Sequence, residues 1–177
     1  QEVALAKWGL NPVTTLEIVN ERNAGLSFAR AAGIAKAKYE VISFVDDDNL
    51  VPTNWIEKIH DHFANTQVGI LGVNAVGQFD EVPPEWYEDH KHAFATGKLY
   101  DETGDISEKG NVFGAGLNIR KAIYQELEKR GWKPSLKDRV GSLQTSGGDT
   151  EICMATKLLG YQVHYDPNLT IQHYIKP

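Results

Sequence analysis

The chain has 177 residues, of which 41% are hydrophobic and 24% charged, and its formal net charge is −6. This length and composition are typical of one globular domain with a sizeable core, so we treat residues 1–177 as a single domain. The acidic balance disfavours a general nucleic-acid-binding protein, which would carry a basic face. The single cysteine, Cys153, excludes an internal disulfide and fits a reducing compartment.

No apolar run in the sequence approaches the roughly 18 residues that a membrane-spanning helix needs, and no signal-peptide pattern opens the chain. We therefore expect no transmembrane segment. Together with the single cysteine, this favours a cytoplasmic location, either free or peripheral at the inner face of the membrane.

The first half of the chain alternates predicted strands and helices. In chain order they are a helix over Glu2–Trp8, a strand over Thr15–Asn20, a helix over Leu26–Lys38, a strand over Val41–Val45, a helix that begins at Thr53 or Asn54, and a strand over Val68–Val76. The run Val41–Val45 is β-branched and aromatic without alternation, which favours a central strand covered on both faces. The spacing of Trp55, Ile56, Ile59 and Phe63 predicts one buried helical face.

The second half is more irregular but continues the same alternation. Its predicted elements are a short helix around Glu85–Ala95 within an excursion from Gln78 to Lys109, a glycine-broken strand over Val112–Ile119, a helix over Arg120–Lys129, a polar loop over Pro134–Gly148, a helix over Thr150–Leu159, and strands over Tyr161–Tyr165 and Thr170–Tyr174. The whole pattern predicts an α/β fold with a mixed, mostly parallel sheet flanked by helices.

Three consecutive aspartates, Asp46, Asp47 and Asp48, directly follow the run Val41–Val45. In an open α/β sheet, ligands bind at the carboxyl ends of the strands. Carboxylates held close together need a counter-charge, which a hard divalent cation such as Mg²⁺ or Mn²⁺ supplies. The alternative is a strand-to-helix turn in which these side chains satisfy backbone N–H groups. Position and charge favour the cation site.

Three further positions could carry chemistry. Asp149 and Glu151 follow two glycines at a predicted helix start, where Asp149 could be either the N-cap, which the residues alone favour, or a general base. Arg30 lies in an alanine-rich helix that we expect to be buried, so its guanidinium needs an anionic partner, for which phosphate is a natural candidate. His173 alternates with apolar residues in the last strand, which favours a structural role over a ligand role.

Taken in order, these segments resemble the family 2 glycosyltransferases, which are inverting nucleotide-sugar enzymes with the GT-A fold. The resemblance rests on the segments NAGLSFARAAGIAKAKYEVISFVDDDNLVP, FGAGLNIRKAIY and GGDTEICMATKLLGYQVHYDPNLTIQH, which begin at Asn23, Phe113 and Gly147. It covers most of the chain from about residue 15 onward. The order and spacing of the segments make it more specific than any one of them.

The resemblance implies roles for the aspartates. Asp46 and Asp48 would be the outer members of the family's D-x-D motif, with Asp48 on a Mn²⁺ or Mg²⁺ ion. Asp46 and Asp47 would help to hold the ribose and sugar of the donor, a UDP- or GDP-sugar. Asp149 would be the base that deprotonates the hydroxyl of a glycan or other acceptor.

It also implies roles around these aspartates. Arg30 and Asn23 would line the nucleotide side, and His173 would complete the metal or phosphate shell. Glu151 would contribute to donor binding and could share or take the role of the base. Acceptor recognition is expected in the segment between Pro83 and Tyr100.

The sequence departs from the family pattern at two positions and at its start. The glutamate that precedes the catalytic aspartate is Gly148 here, and the asparagine after the Ala-Arg pair is Ala31. The family opens with strands that bind the nucleotide base, and these do not precede Gln1, so we expect the domain to be incomplete at its N-terminus. Two alternatives remain: a non-catalytic nucleotide-sugar-binding module, and a nucleotidyltransferase of similar fold.

Overall fold

The computed structural model describes residues 16–136, 138 and 146–175. Its helices are α1 Leu26–Lys36, α2 Trp55–Phe63, α3 Tyr87–His90, a 3₁₀ turn at Lys91–Phe94, α4 Lys121–Lys129 and α5 Gly148–Leu158. Its strands are β1 Val41–Ser43, β2 Asn49–Leu50, β3 Val68–Gln78, β4 Gly104–Asp105, β5 Asn118–Arg120 and β6 Gln162–Tyr174. The predicted helix over Glu2–Trp8 and most of the predicted loop over Pro134–Gly148 lie outside the described residues. None of the helices among those residues is long and apolar enough to cross a membrane.

The described strands form one mixed sheet in the order β1-β5-β3-β6-β2, with β4 paired to β6. The longest pairing is the parallel one between β3 and β6, and the remaining pairings are antiparallel. The predicted α/β class and the mixed sheet are therefore confirmed. The expected predominance of parallel pairs is not found among the described strands. Four of them have only two or three residues, and short strands can pair antiparallel without the crossover helix that parallel neighbours need.

Helices cover the sheet on both faces and bury its apolar side chains. On one face, α4 and α5 pack against the centre of the sheet through a cluster that includes Ile70, Ile119, Ile123, Ile152, Cys153, Val163 and Tyr165. On the other face, α2 packs against Val68, Leu71, Val73 and Ile171. Burial of these side chains is the main stabilising term of the fold.

Helix α2 shows which positions of the predicted apolar face are buried. Trp55, Ile59 and Phe63 are buried, whereas Ile56 is 74% exposed. The buried residues are spaced by four, and the next residue along a helix is rotated by about 100° from that stripe. The prediction that Ile56 shares the buried face is therefore wrong.

Two strands predicted in the first half of the chain differ from those in the structure. Residues 16–20 of the predicted strand Thr15–Asn20 are exposed and belong to no strand, and Thr15 lies outside the described residues. The run Val41–Val45 is a strand only over Val41–Ser43, where it is half-buried at the end of the described sheet with β5 as its neighbour. An apolar run reports packing above and below a strand, but it does not report how many strands lie beside it.

The glycine-broken strand predicted over Val112–Ile119 is regular only over Asn118–Arg120. The two strands predicted at the end of the chain are joined into the single strand β6. Its pairing with β3 shifts in register between Asp166 and Thr170. A β-strand with such an irregularity stays continuous while its twist changes locally.

Asp166 holds the irregular part of β6 in place. Its Oδ1 accepts hydrogen bonds from the backbone N–H of Asn168 and from the hydroxyl of Thr103, both at 2.9 Å, and its Oδ2 lies 2.9 Å from Nε2 of His62. These bonds outweigh the effect of burial and lower the pKa of Asp166 below its ordinary value. The carboxylate thus links β6 to α2.

Arg120 at the end of β5 joins the sheet to the end of α2. Its guanidinium is buried and donates hydrogen bonds to the carbonyl oxygens of Phe63, Asn65 and Val68, at 2.6, 3.0 and 2.9 Å. It also pairs with Glu40 at 2.5 Å. One side chain therefore satisfies the helix end, where carbonyl groups lack partners within the helix.

Candidate functional site

The aspartate triplet lies in the turn between β1 and β2, beside the end of β6. Asn49 in β2 is paired with His173 in β6, and the backbone N–H of Tyr174 donates to the carbonyl oxygen of Asp48 at 2.8 Å. This pairing brings Nε2 of His173 to 3.7 Å from Oδ1 of Asp48. The structure therefore places together the two residues that were predicted to share a metal.

The atoms around Asp48 fit a cation that takes only some of its ligands from the protein. Oδ1 of Asp48 accepts a hydrogen bond from Nδ2 of Asn49 at 3.0 Å. Oδ1 of Asn49 and Nδ1 of His173 are buried and have no hydrogen-bond partner among the described residues. Among the described residues, no three His, Cys, Asp or Glu side chains converge as a metal cage. Magnesium commonly binds through one or two carboxylates and completes its shell with water and substrate phosphates.

Asp46 links this turn to α1 by charge. Desolvation raises the pKa of Asp46 above its ordinary value, and the neighbouring carboxylates of Asp48 and Asp47 add to that effect, while Arg30 and His173 oppose it. Asp46 and Asp47 both lie at the surface of the turn. The first aspartate of the triplet is therefore within the electrostatic reach of Arg30.

Arg30 is mostly buried, as expected, and its partners are side chains. Its Nη1 lies 3.6 Å from Oδ2 of Asp138, and its guanidinium carbon lies 5.3 Å from the centre of the Phe44 ring. The anionic partner in the structure is thus a carboxylate, where the sequence suggested phosphate. Asp138 was not predicted as a site residue, because it falls in a polar loop with no pattern that marks it.

Asp149 is the second residue of α5, and its carboxylate is held by two backbone groups. Oδ2 accepts a hydrogen bond from the N–H of Gly114 at 3.0 Å, and Oδ1 accepts one from the N–H of Thr150 at 2.8 Å. The N-cap of α5 is Gly147. The interpretation of Asp149 as the N-cap is therefore wrong, because the helix begins earlier than predicted.

The side chain of Glu151 binds the segment that follows α4. Its carboxylate accepts hydrogen bonds from the backbone N–H groups of Ser135 and Leu136, at 2.8 and 3.0 Å. It thereby fastens the segment after α4 to the first turn of α5. The side chains of Asp149 and Glu151 are thus held by different parts of the chain, although they are two residues apart.

Asn23 is the most peripheral of the predicted residues. Its backbone N–H and its side-chain amide both donate to Oε1 of Glu21, at 2.7 and 2.8 Å. Its side chain is exposed, and no contact found within the described part of the chain joins it to Asp48 or Asp149. The structure does not bring Asn23 to the other candidates.

The predicted acceptor segment reaches the candidate base through two aromatic rings. The ring of His92 lies 5.9 Å from the ring of Phe113 in an edge-to-face arrangement. Phe113 directly precedes Gly114, which donates to Asp149. Trp86 in the same segment is 53% exposed. One residue of the segment from Pro83 to Tyr100 therefore contacts the neighbour of the glycine that binds the candidate base, and the segment also carries an aromatic ring open to solvent.

Comparison with known proteins gives one curated relative that supports the resemblance. The chain is 23% identical over 163 residues to a glucosyl-dolichyl phosphate glucuronosyltransferase of Haloferax volcanii. The aligned region covers 87% of this chain and 49% of the relative. The chain therefore spans about half the length of that relative.

Solved structures share the fold. The structure of S. aureus TarS 1-349 in complex with UDP-GlcNAc superposes with a TM-score of 0.66 at 12% identity, covering 99% of this chain and 46% of that one. The structure of GalNAc-T7 with UDP, GalNAc and Mn²⁺ gives a TM-score of 0.59 at 18% identity, covering 89% and 32%. These likenesses confirm the expected GT-A fold.

The family assignment follows from the sequence itself. The sequence model of the family "Glycosyl transferase family 2" matches residues 15–142. These residues include the aspartate triplet, Arg30 and the glycine-rich segment before β5. Because this match spans well over half of the chain, the chain belongs to glycosyl transferase family 2.

Proposed function

We propose that this protein is an inverting, metal-assisted glycosyltransferase that moves a sugar from a nucleoside-diphosphate sugar to an acceptor hydroxyl. One observation carries the proposal. The mostly buried guanidinium of Arg30 lies 3.6 Å from Oδ2 of Asp138. It also approaches the peptide group of Gly114, whose N–H donates to Asp149, and its charge acts on Asp46 in the aspartate turn. A cation within electrostatic reach of the aspartate turn and close to the candidate base Asp149 suits a diphosphate substrate.

The donor end of the site consists of the turn and its neighbours. Asp48, with His173, would hold a Mn²⁺ or Mg²⁺ ion, and such an ion acts as a Lewis acid that stabilises the negative charge of a diphosphate leaving group. Asp46 and Asp47 hold the ribose and the sugar. Arg30, and Asn23 at the edge, bind the nucleotide side.

The reaction is a single displacement for which Asp149 is the base. The acceptor oxygen forms a bond to the anomeric carbon while the bond from that carbon to the diphosphate oxygen breaks. The hydroxyl proton passes to the Asp149 carboxylate, and the nucleoside diphosphate leaves with the bonding electrons. The hydrogen bond from Gly114 fixes the orientation of this carboxylate, which favours proton transfer. The carboxylate of Glu151 joins the segment after α4 to α5, whereas that of Asp149 faces Gly114 beside Arg30. We therefore assign the base to Asp149.

The acceptor would bind along the segment from Pro83 to Tyr100. The contact of His92 with Phe113, the residue before Gly114, supports this placement, and the open ring of Trp86 could pack against the apolar face of a sugar. One of the similar structures is a complex with UDP-GlcNAc and another contains UDP, GalNAc and Mn²⁺, which supports UDP-sugars as the first donors to test. The relative's name includes a glucosyl-dolichyl phosphate, which supports a lipid-linked or other glycan acceptor in polysaccharide biosynthesis. A lipid-linked acceptor would agree with the expected location at the inner membrane face.

Calorimetry on the full-length protein tests the donor site. UDP, GDP and their sugars are titrated with and without Mn²⁺. We expect either the UDP compounds or the GDP compounds to bind, and to bind only when Mn²⁺ is present. Asp48→Ala should weaken that binding by at least about tenfold. The matched control is Asp61→Ala, which removes an exposed carboxylate from α2. Binding that does not depend on metal, or that is equal in Asp48→Ala, would contradict the proposal.

Transfer assays separate catalysis from binding. Asp149→Asn should keep nucleotide binding and lower turnover by roughly 100-fold or more, whereas Glu151→Gln should lower turnover much less. Wild-type turnover in Asp149→Asn would reject the assignment of the base. Metal-dependent binding without transfer by the wild-type protein would indicate the non-catalytic binding module. Condensation of a sugar phosphate with a nucleoside triphosphate would indicate the nucleotidyltransferase.

A further inference from the structure

A side chain at position 148 would have no room, because Asp138 fills the space beside the backbone of Gly148. A Cβ atom placed on Gly148 would lie 2.8 Å from Cγ of Asp138 and closer still to its Oδ2. Real Cβ atoms do not approach other atoms so closely. The carboxylate of Asp138 therefore occupies the volume that a side chain at position 148 would enter.

Asp138 is held in this position by charge and by hydrogen bonding. Its Oδ1 accepts a hydrogen bond from the N–H of Gly148 at 2.8 Å, and its Oδ2 lies 3.6 Å from Nη1 of Arg30. Its side chain is 10% exposed. The backbone at Asp138 has φ of 53°, a conformation in which aspartate, asparagine and glycine are favoured over other residues. The carboxylate thus meets the first turn of α5, where the helix dipole stabilises a negative charge.

The other side of Arg30 lies next to the candidate base. A Cβ atom placed on Gly114 would lie 2.9 Å from Nη2 of Arg30 and 3.7 Å from Oδ2 of Asp149. Arg30 and Asp149 therefore flank the same backbone position from two sides. A shift of the guanidinium would change the surroundings of the carboxylate that takes the proton.

We propose that Asp138 is a positioning residue for sugar transfer: from its loop it supplies the carboxylate that the family motif carries at position 148, and it holds Arg30 beside Asp149. The inference rests on the proposed function for the reaction, and on the contacts of Asp138 for the geometry. Asp138 acts through Arg30 and the first turn of α5, so its removal should affect turnover more than donor binding.

The first test is Asp138→Asn in the full-length protein. Asparagine keeps the size, the tolerance of positive φ and an acceptor for the N–H of Gly148, but it loses the charge that pairs with Arg30. The assay measures UDP release with Mn²⁺ and UDP-glucose, UDP-GlcNAc or UDP-glucuronic acid as donor. We expect kcat to fall about tenfold while KM for the donor stays within about twofold of the wild-type value. Wild-type kcat in this variant would overturn the proposal.

The second test moves the carboxylate back to the helix. Asp138→Gly removes the side chain and tolerates positive φ, and Gly148→Glu in the same protein restores a carboxylate at position 148. We expect this double variant to recover kcat to within about threefold of the wild type. The matched control combines Asp138→Gly with Gly148→Gln, which has the same size without the charge. Equal recovery by glutamine would show a role in filling space alone and would overturn the proposal.

A double-mutant cycle in stability separates this inference from the proposed function. Gly148→Ala alone should lower the urea midpoint of unfolding, because the new Cβ displaces Asp138, and this loss should vanish in the Asp138→Gly background. An equal loss in both backgrounds would contradict the geometry whatever the enzyme does. If no donor is turned over by the wild-type protein, the proposed function fails, and the cycle still decides whether the two positions share one space.

Discussion

The backbone N–H of Gly114 donates a hydrogen bond to Oδ2 of Asp149 at 3.0 Å, which ties the segment before β5 to the first turn of α5. Nη2 of Arg30 lies so close to Gly114 that an added Cβ atom would be 2.9 Å from it. The absence of a side chain at position 114 therefore lets the guanidinium and the carboxylate approach the same peptide group.

Gly114→Ala should consequently impair transfer more than it impairs folding. The methyl group would push Arg30 away, and small displacements of aligned groups can lower a rate by roughly 100-fold; we expect a loss of at least about tenfold. Turnover and the urea midpoint are the measurements. Gly33→Ala in α1 is the matched control, because nothing lies within 4 Å of its added Cβ. It should leave turnover unchanged and stabilise the helix by about 0.5–1 kcal/mol. Wild-type turnover in Gly114→Ala would contradict the prediction.

Arg120→Lys should destabilise the protein although it keeps the charge. Lysine cannot reproduce the fork that reaches three carbonyl oxygens and Glu40. We expect a loss of about 3 kcal/mol in the free energy of unfolding, measured in urea, because buried acceptors lose their donors. Arg130→Lys provides the control, since Arg130 is exposed and pairs with Glu126 on α4; its effect should stay within about 0.5 kcal/mol. Similar effects of the two substitutions would refute the structural role of Arg120.

Acid should destabilise the fold in part through Asp166. Its pKa is lower in the folded protein, so its bonds contribute their full stability above the unfolded pKa of about 3.9 and lose it as the pH falls through the folded pKa. Asp166→Asn should therefore lower the free energy of unfolding by about 1.5–3 kcal/mol at pH 7 and have a smaller effect at pH 3.

Urea titrations at the two pH values measure this difference. Asp61→Asn is the control, because Asp61 precedes His62 on α2 and is exposed. An effect of Asp166→Asn that does not depend on pH would show that the carboxylate contributes through shape and not through charge.

Cys153 should react with thiol reagents only after unfolding. It lies on the buried face of α5, and burial raises the pKa of its thiol to about 11, so little thiolate exists at pH 8. The rate of reaction with Ellman's reagent should fall by orders of magnitude between the urea-unfolded and native protein. Because the chain has a single cysteine, the signal has one source. A native rate close to the unfolded rate would show that α5 opens readily.

Local sequence patterns correctly predicted those helices that are determined by the composition and spacing of their own residues. Leu26–Lys38 and Arg120–Lys129 were placed within one or two residues of α1 and α4, because alanine content and helical spacing are local properties. The approach of Asp48 to His173 was available only from the family resemblance. It depends on pairing between β2 and β6, which are more than 100 residues apart in the chain, and such pairing leaves no local signal.

The misplaced features depend on neighbours that the sequence does not specify. The end position of β1 among the described strands and the continuity of β6 are properties of the assembled sheet. Asp138 could not be found because it is marked only by its contact with Gly148, where it fills the space that a side chain would take. A glycine in a sequence does not show what fills the space beside it.

The contact between Asp138 and Gly148 has a consequence for evolution. A chain that gains an acidic residue at the position of Gly148 must first lose the bulk at the position of Asp138, since both side chains would enter one volume. We therefore expect the two positions to covary among homologues: aspartate with glycine as here, and a small residue in the loop wherever the helix carries the acid. A search pattern that requires an acidic pair on the helix would pass over chains that, like this one, hold the second carboxylate in the loop.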